Sequence, residues 1–268
     1  MAAQIHPTAI VDPNAIIGDG CQIGPFSIIG PNVTLGANCV VGPRVSMDWT
    51  RMGANCHVGA NTIVGGNPQI YNWKNVPSWV ETGDNVFINE LTAIHRSMYE
   101  NGATVIGEGC YVMTQTHMGH DCKLGKGVTV TTLAGLSGHV EVGDYAVIGG
   151  AAGIHQFVRI GSMAMVGGMS RIVQDVPPYF IVAGVPCRAR GINVIGMRRR
   201  GVSRDERNAV KKAFHILNSP SLLLPDAVAK VETDIAQDGA VKELIEFAKT
   251  TKRGLTLARK GGGEEEEI

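Results

Sequence analysis

The sequence predicts a parallel β-helix over residues 1–187, then a small α-helical domain over 188–260 and a disordered acidic tail over 261–268. Two patterns carry that reading. Aliphatic side chains keep a six-residue beat through the first two thirds of the chain, and helix-capping signals with amphipathic spacing take over in the last third.

Ile5, Val11, Ile17, Ile23, Ile29, Leu35, Val41 and Met47 recur every six residues. Glycine directly follows several of them, as in "IGDGCQ", "IGPFSI", "IGPNVT" and "LGANCV". After a one-residue slip the beat resumes at Met52, Val58 and Val64. It then holds strict register from Ile106 through Val112, Met118, Leu124, Val130, Leu136, Val142, Ile148, Ile154, Ile160 and Val166 to Ile172. Neither a helical period of 3.6 nor a long strand period of 2 accounts for this. A hexapeptide unit reads as one short strand and a turn, and three units make one coil. Residues eighteen apart therefore stack at strand spacing, about 4.8 Å. The beat residue points inward, and the small residue four positions later joins it. Glycine after the beat is expected to serve turn conformations that cost other residues more.

The segment "GGNPQIYNWKNVPSW" breaks the beat and reads as a loop off the coil. The repeat ends at "DVPPY", where two prolines remove backbone donors. "SRDE" at Ser203–Glu206 is a capping box opening a helix to about Leu217. Pro225 suits the first turn of a second helix, "AVKELIEFAKTT" reads as a third, and "KGGGEEEEI" is a disordered tail.

Composition narrows the partners. Formal net charge is zero, which argues against nucleic acid or a membrane surface as a whole-chain partner. No apolar run has transmembrane length, and "MAAQIHPTAIVDPN" lacks the layout of a signal peptide. A soluble, cytoplasmic protein is expected. Cys21, Cys39, Cys56, Cys110 and Cys122 all fall four positions after a beat residue, in the inward slot, and read as small core fillers. Cys187 lies beyond the repeat. No CxxC is present, so neither a zinc ribbon nor a disulfide framework is indicated.

The same register locates the polar stretch "QTHMGHDCKLG". His120 and Asp121 follow Met118 by two and three positions, in outward turn slots. One coil on, Asp121 stacks under His139 and His120 under Gly138; a further coil brings His155 and Gln156. Position alone also fits a polar edge of solvated turns. The concentration of four of the eight histidines (His117, His120, His139, His155) favours chemistry there. A histidine takes a proton near neutral pH, and an adjacent carboxylate orients it. With no serine or cysteine nucleophile beside the pair, direct attack by a substrate hydroxyl is favoured over a covalent enzyme intermediate. Gly138 can present its N–H to a developing oxyanion. The constellation describes acyl transfer to an alcohol.

"HMGHDC", "LSGHVEVGD", "IHQFVRIG", "MVGGMSRIVQDVPPYFIVAGVP" and "GINVIGMRRRGVSR" resemble the UDP-N-acetylglucosamine 3-O-acyltransferases of lipid A biosynthesis. The likeness covers nearly the whole chain, "IHPTAIV" and "IHR" included. It implies a homotrimer of left-handed β-helices with active sites between subunits, moving a 3-hydroxyacyl chain from acyl carrier protein to the sugar 3-hydroxyl, with no cofactor and no metal. On that resemblance His120 is the general base, Asp121 its partner and Gly138 the oxyanion-hole amide. His117, His139, His155 and Gln156 are substrate contacts, Arg199 and Arg200 hold phosphate, and Gly168 gates acyl-chain length. Nine Lys or Arg lie between Arg188 and Lys212 against Asp205 and Glu206, which suits an acidic carrier protein and a diphosphate as well as a solvated face.

Three positions depart from the family pattern. Ile70 stands where aspartate is usual, Asn72 where lysine is usual, and Ile195 where a carboxylate follows the retained Asn193. Gln69, Asn72 and Lys74 are candidates to replace the lost polar groups. The acceptor expected is therefore UDP-N-acetylglucosamine or, as the alternative, a 3-amino relative; use of acyl-CoA as donor is a nearby variant. Two other classes are a trimeric zinc enzyme of the carbonic anhydrase kind, using His117, His120 and His139, and a catalytically silent β-helix.

Overall fold

In a computed structural model, which describes residues 2–236 and 239–258, the beat closes into a triangular solenoid with three parallel faces. The first face stacks eleven strands from Gln4–Ile5 to Arg188–Ile192, the second nine from Ile10–Val11 to Arg171–Ile172, and the third eight from Ile16–Ile17 to Arg159–Ile160. Strand partners lie eighteen residues apart, as in His117 with Gly135 and Gly135 with Gly153. From Ile23 on the aliphatic beat residues are buried and their preceding neighbours turn outward, while Ile5, Val11 and Ile17 of the first coil are exposed or half-buried. Burying each such Val, Leu, Ile or Met side chain is worth about 1.5–3 kcal/mol, so the beat is the main apolar driving force of the fold.

The slot four residues after the beat is buried as expected. Cys21, Cys39, Cys110 and Cys122 are 0% exposed and Cys56 1%. Their Sγ atoms point at carbonyls one turn on, Cys21 to Gly36 and Cys122 to Ser137, each at 3.1 Å. Cys187 is also buried and unpaired.

The glycines after the beat have a different cause from the one expected. Backbone of left-handed φ falls two residues later, on Asn38, Asn55, Asn61, Gln115, Asp121 and His139 among others. The glycine directly after the beat is instead required by close stacking. A Cβ on Gly18 would lie 2.6 Å from the Gly36 carbonyl carbon, and one on Gly36 equally close to that of Gly53. Successive turns approach too closely there for any side chain.

One coil is seventeen residues long, as in Ser46 with Ile63, and the last step is sixteen, Met165 with Ile181; two longer stretches are inserted. Ile63 pairs with Ala93, thirty residues on, and Ala93 with His117, twenty-four on. Both extra segments, 67–78 and 96–102, leave the solenoid at the corner between the second and third faces. The first is the expected loop. The second is hidden from the beat because the coil between them is short and carries Val80, Ile88 and Ile94 inside.

The sheet does not stop at residue 187. Arg188–Ile192 turns back antiparallel onto Phe180–Ala183 and extends the first face to Ile192. Four helices follow: α1 (Val194–Arg199), α2 (Arg204–Leu217), α3 (Leu224–Asp234) and α4 (Gly239–Lys249). Ser203 caps α2 through the full capping box with Glu206, and Pro225 lies in the first turn of α3. The acidic tail lies outside the described residues. Among the described residues no helix is long and apolar enough to cross a membrane.

Candidate active site

His120 and Asp121 form the turn between His117–Met118 on the second face and Lys123–Leu124 on the third. Asp121 has φ +60°, which a short polar side chain tolerates. That backbone turns its carboxylate back along the corner. Asp121 Oδ2 accepts from His120 Nδ1 at 2.8 Å, with side chains 16% and 11% exposed. Since the carboxylate only accepts, Nδ1 carries a proton, and in the neutral imidazole this leaves the lone pair on Nε2, where a hydroxyl could donate to it.

The second insertion grips the other side of that carboxylate. Ser97 Oγ donates to Asp121 Oδ1 at 2.5 Å and the Met98 N–H to Oδ2 at 3.1 Å, while the Asp121 N–H donates to Thr104 Oγ1 at 2.8 Å. Burial alone pushes the carboxyl pKa up; hydrogen bonds from His120, Ser97 and Met98 more than offset it, so the group titrates below its ordinary range.

Gly138 lies one coil on, directly against the base. A Cβ there would come within 2.6 Å of His120 Cε1 and Nε2. Its carbonyl accepts from the Phe157 N–H at 3.1 Å, and its own N–H makes no backbone hydrogen bond among the described residues. His139 stands edge-on to His120 with ring centroids 5.0 Å apart and stacks on Phe157 at 4.5 Å and 8°. Burial lowers its pKa, against the pull of Asp121. His155 and Gln156 continue the edge as exposed residues, His155 Nδ1 lying 3.1 Å from the Gln156 carbonyl. His117 is on the strand beside the corner, its ring 5.0 Å from that of His95. Burial, then His95, lowers the His117 pKa.

His95 was not singled out by the repeat, yet it belongs here. Its Nδ1 donates to the Asn67 carbonyl at 2.7 Å, and its buried Nε2 has no partner among the described residues. Next to it Arg96, 1% exposed, ties the two insertions together. It donates to Asn67 Oδ1 and to the Val76 carbonyl, at 2.8 and 3.0 Å, and also to Asn75 Oδ1, with Trp49 and Trp73 rings 4.6 and 4.8 Å away. Trp73 Nε1 donates to the Met98 carbonyl at 3.0 Å.

The remaining expected residues lie elsewhere on the single chain. Gln69 is exposed in the first insertion, where Asn72 adopts φ +59°, a conformation that itself favours asparagine. Asn193 caps α1: its Oδ1 accepts from the Gly196 N–H at 2.9 Å and its Nδ2 donates to the Met163 carbonyl at 2.8 Å. Arg199 is exposed and Arg200 lies 3.8 Å over the Tyr145 ring. Met163 and Tyr145 mark the corner between the third and first faces, so these arginines sit one corner away from His120. Gly168 is exposed at the remaining corner, between the first and second faces. The residues whose ligand atoms do converge, within 4.8 Å, are His120, Asp121 and His139. His117, needed for a three-histidine zinc site, is not in that group, and Asp121 already holds three donors.

A solenoid of hexapeptide coils with a histidine–aspartate pair and a bare glycine amide at one corner has the build of a hexapeptide-repeat acyltransferase. Comparison with known proteins makes the assignment particular. Residues 175–256 match the family model "Udp N-acetylglucosamine O-acyltransferase; Domain 2", and residues 5–101 match the "GMPPB C-terminal domain". An acyl-[acyl-carrier-protein]–UDP-N-acetylglucosamine O-acyltransferase of Thermodesulfovibrio yellowstonii is 41% identical over 94% of this chain and 98% of its own. The crystal structure of UDP-N-acetylglucosamine O-acyltransferase from Moraxella catarrhalis superposes with TM-score 0.90 at 35% identity, covering 94% of this chain and 99% of that one. The UDP-N-acetylglucosamine acyltransferase of Campylobacter jejuni gives 0.89 at 31%, covering 96% and 100%. This chain belongs to the UDP-N-acetylglucosamine O-acyltransferase family, and its solenoid is that family's left-handed β-helix.

Proposed function

We propose that this chain transfers a 3-hydroxyacyl group from acyl carrier protein to the 3-hydroxyl of UDP-N-acetylglucosamine, the first step of lipid A biosynthesis. The observation that carries the chemistry is the His120 Nδ1–Asp121 Oδ2 hydrogen bond with Gly138 against the same imidazole. His120 Nε2 takes the proton of the sugar hydroxyl as its oxygen attacks the thioester carbonyl. The Gly138 N–H faces the oxyanion of the tetrahedral intermediate. Collapse forms the ester and expels the carrier thiolate, which recovers the proton from His120. Asp121 stays ionised throughout and holds the imidazole.

The active unit in this reading is a homotrimer. The outward columns of the three faces differ: Arg51, Glu81, Lys123, Glu141 and Arg159 line the third, whereas Val40, Phe87, Tyr111, Val147 and Met165 line the first, and Ile28, Ile63, Ala93 and Gly135 the second. The second column ends at the exposed Arg171, and the corner joining the first and second faces carries exposed Phe26, Leu91, Leu133 and Met169. Packing the first face of one subunit on the second face of the next closes a ring with that apolar corner on the axis. The same packing brings one subunit's His120 corner beside its neighbour's Arg199 and Arg200, supplying a diphosphate site that a single chain lacks. The exposed Arg190, Arg198, Arg204, Lys211 and Lys212 then suit an acidic carrier protein.

The test offers purified protein a 3-hydroxyacyl carrier-protein thioester with UDP-N-acetylglucosamine and its 3-amino analogue in competition, read by mass spectrometry. Acylated UDP-N-acetylglucosamine is expected from the wild type, with a loss of 10²-fold or more in His120→Ala. Preference for the amino analogue would reassign the acceptor, as the apolar Ile70 and Ile195 allow. Near-normal turnover in folded His120→Ala would remove the base from the mechanism.

A further inference from the structure

Ser97 is outside the repeat, 0% exposed, and contributed by the second insertion. Its hydroxyl has two neighbours with fixed roles. The Tyr99 N–H donates to Ser97 Oγ at 3.0 Å, so the oxygen is an acceptor there and its own hydrogen is directed to Asp121 Oδ1. A relay of defined direction results: Tyr99 N–H to Ser97 Oγ–H to one carboxylate oxygen, with the Met98 N–H and His120 Nδ1–H on the other.

We infer that Ser97 is a positioning residue of the acyl transfer, fixing the Asp121 carboxylate so that Oδ2 stays aimed at His120 Nδ1. This rests on the reading of His120 as base. Two arguments support it. Asp121 carries its carboxylate on two side-chain torsions, and without Oδ1 held the group has more freedom to rotate away from the imidazole. The insertion is also well anchored, since Arg96 is locked between Asn67, Asn75, Val76 and two tryptophans, and Ser78 Oγ donates to the Ser97 carbonyl at 2.5 Å. A donor on that frame is pre-organised, which is what holding a reacting group requires.

Ser97 also supports the charge on Asp121. Its hydrogen bond is one of those that hold the carboxyl below its ordinary range, so removing Ser97 Oγ should raise the pH at which Asp121 takes up a proton. The other titratable groups facing the pair are His139 from the next coil and His95 from the insertion's start.

The experiment is a double-mutant cycle on the full-length protein: Ser97→Ala, Asp121→Asn and both together, with kcat and KM for carrier-protein thioester and UDP-N-acetylglucosamine. Ser97→Ala is expected to lower kcat about tenfold with KM little changed, the loss of one hydrogen bond to a charged group. It should move the acidic limb of the kcat/KM profile to higher pH. Added to Asp121→Asn it should cost less than about twofold more, because both act through one carboxylate. Ser97→Cys, similar in shape and only a weak donor, should reproduce the Ala values and replaces it if the smaller side chain impairs folding. Unchanged kcat in a folded variant, an unmoved limb, or fully additive losses would each overturn the proposal. Loss of activity in His120→Ala alongside a silent Ser97→Ala would reject Ser97 alone and leave the base assignment standing.

Discussion

Gly138 meets two separate demands. Its N–H makes no backbone hydrogen bond among the described residues, as the proposed oxyanion role requires, and its missing side chain leaves room for the His120 ring. Gly138→Ala forces a methyl to within 2.6 Å of Nε2, and the ring, being the end of a mobile side chain, swings aside while the coil stays closed. The expected outcome is a melting temperature close to wild type with kcat lowered 10²-fold or more, the scale of losing an oxyanion donor or a general base. Circular-dichroism melts beside steady-state rates check it. Asp121→Asn should cost less than His120→Ala, since it removes the orienting charge and leaves the base itself. Equal losses would place Asp121 in the proton path.

At the scale of elements, the two insertions form one body with the catalytic corner. Arg96 is its centre, and its planar guanidinium serves two asparagines and a carbonyl between two indoles. Lysine has neither the fork nor the flat face. Arg96→Lys is expected to loosen 67–78 and 96–102 together, seen as faster amide exchange in both segments and a raised KM for the nucleotide sugar. Loosening confined to one segment would show that the two are independently held. The corner's main residues were legible beforehand because eighteen-residue arithmetic holds from Ile106 on: it put Gly138 and His139 below His120 and Asp121, and the cysteines inside. It fails one coil earlier. Subtracting eighteen from His117 gives Tyr99, whereas the strand partner is Ala93, because six extra residues leave the coil at 96–102. His95, Ser97 and Met98 were hidden for that reason. α1 was hidden because six residues carry too little periodicity, and Asn193 reads equally as ligand or cap.

Across the whole molecule, the histidines of the edge set a pH dependence. Burial lowers the pKa of His95, His117 and His139. Each is then easier to protonate unfolded, so the stability they contribute is complete above the unfolded value near 6.5 and declines as pH falls toward their folded values. The melting temperature should drop between about pH 7 and pH 5, and His95→Gln, a neutral side chain that can still donate to the Asn67 carbonyl, should flatten the decline. A pH-independent melt over that range would contradict the burial argument. Light scattering should return three times the 28.4 kDa subunit mass. Leu133→Asp, on the apolar corner, should lower that mass and abolish activity together.

The way the two insertions leave the solenoid has a further consequence. Ile63 and Ala93 remain strand neighbours although thirty residues separate them, and Ala93 and His117 do so across twenty-four. Chain length between faces is thus invisible to the core, since each strand senses only the strands above and below it. The corner works as a splice site. Material can be added, removed or rewritten there without disturbing register, while a single residue gained inside a strand would turn the rest of that strand's side chains inside out. Diversification of such a protein is therefore channelled to its corners, and sequence can drift in 67–78 while the His120–Asp121 pair, built on the coil itself, stays put.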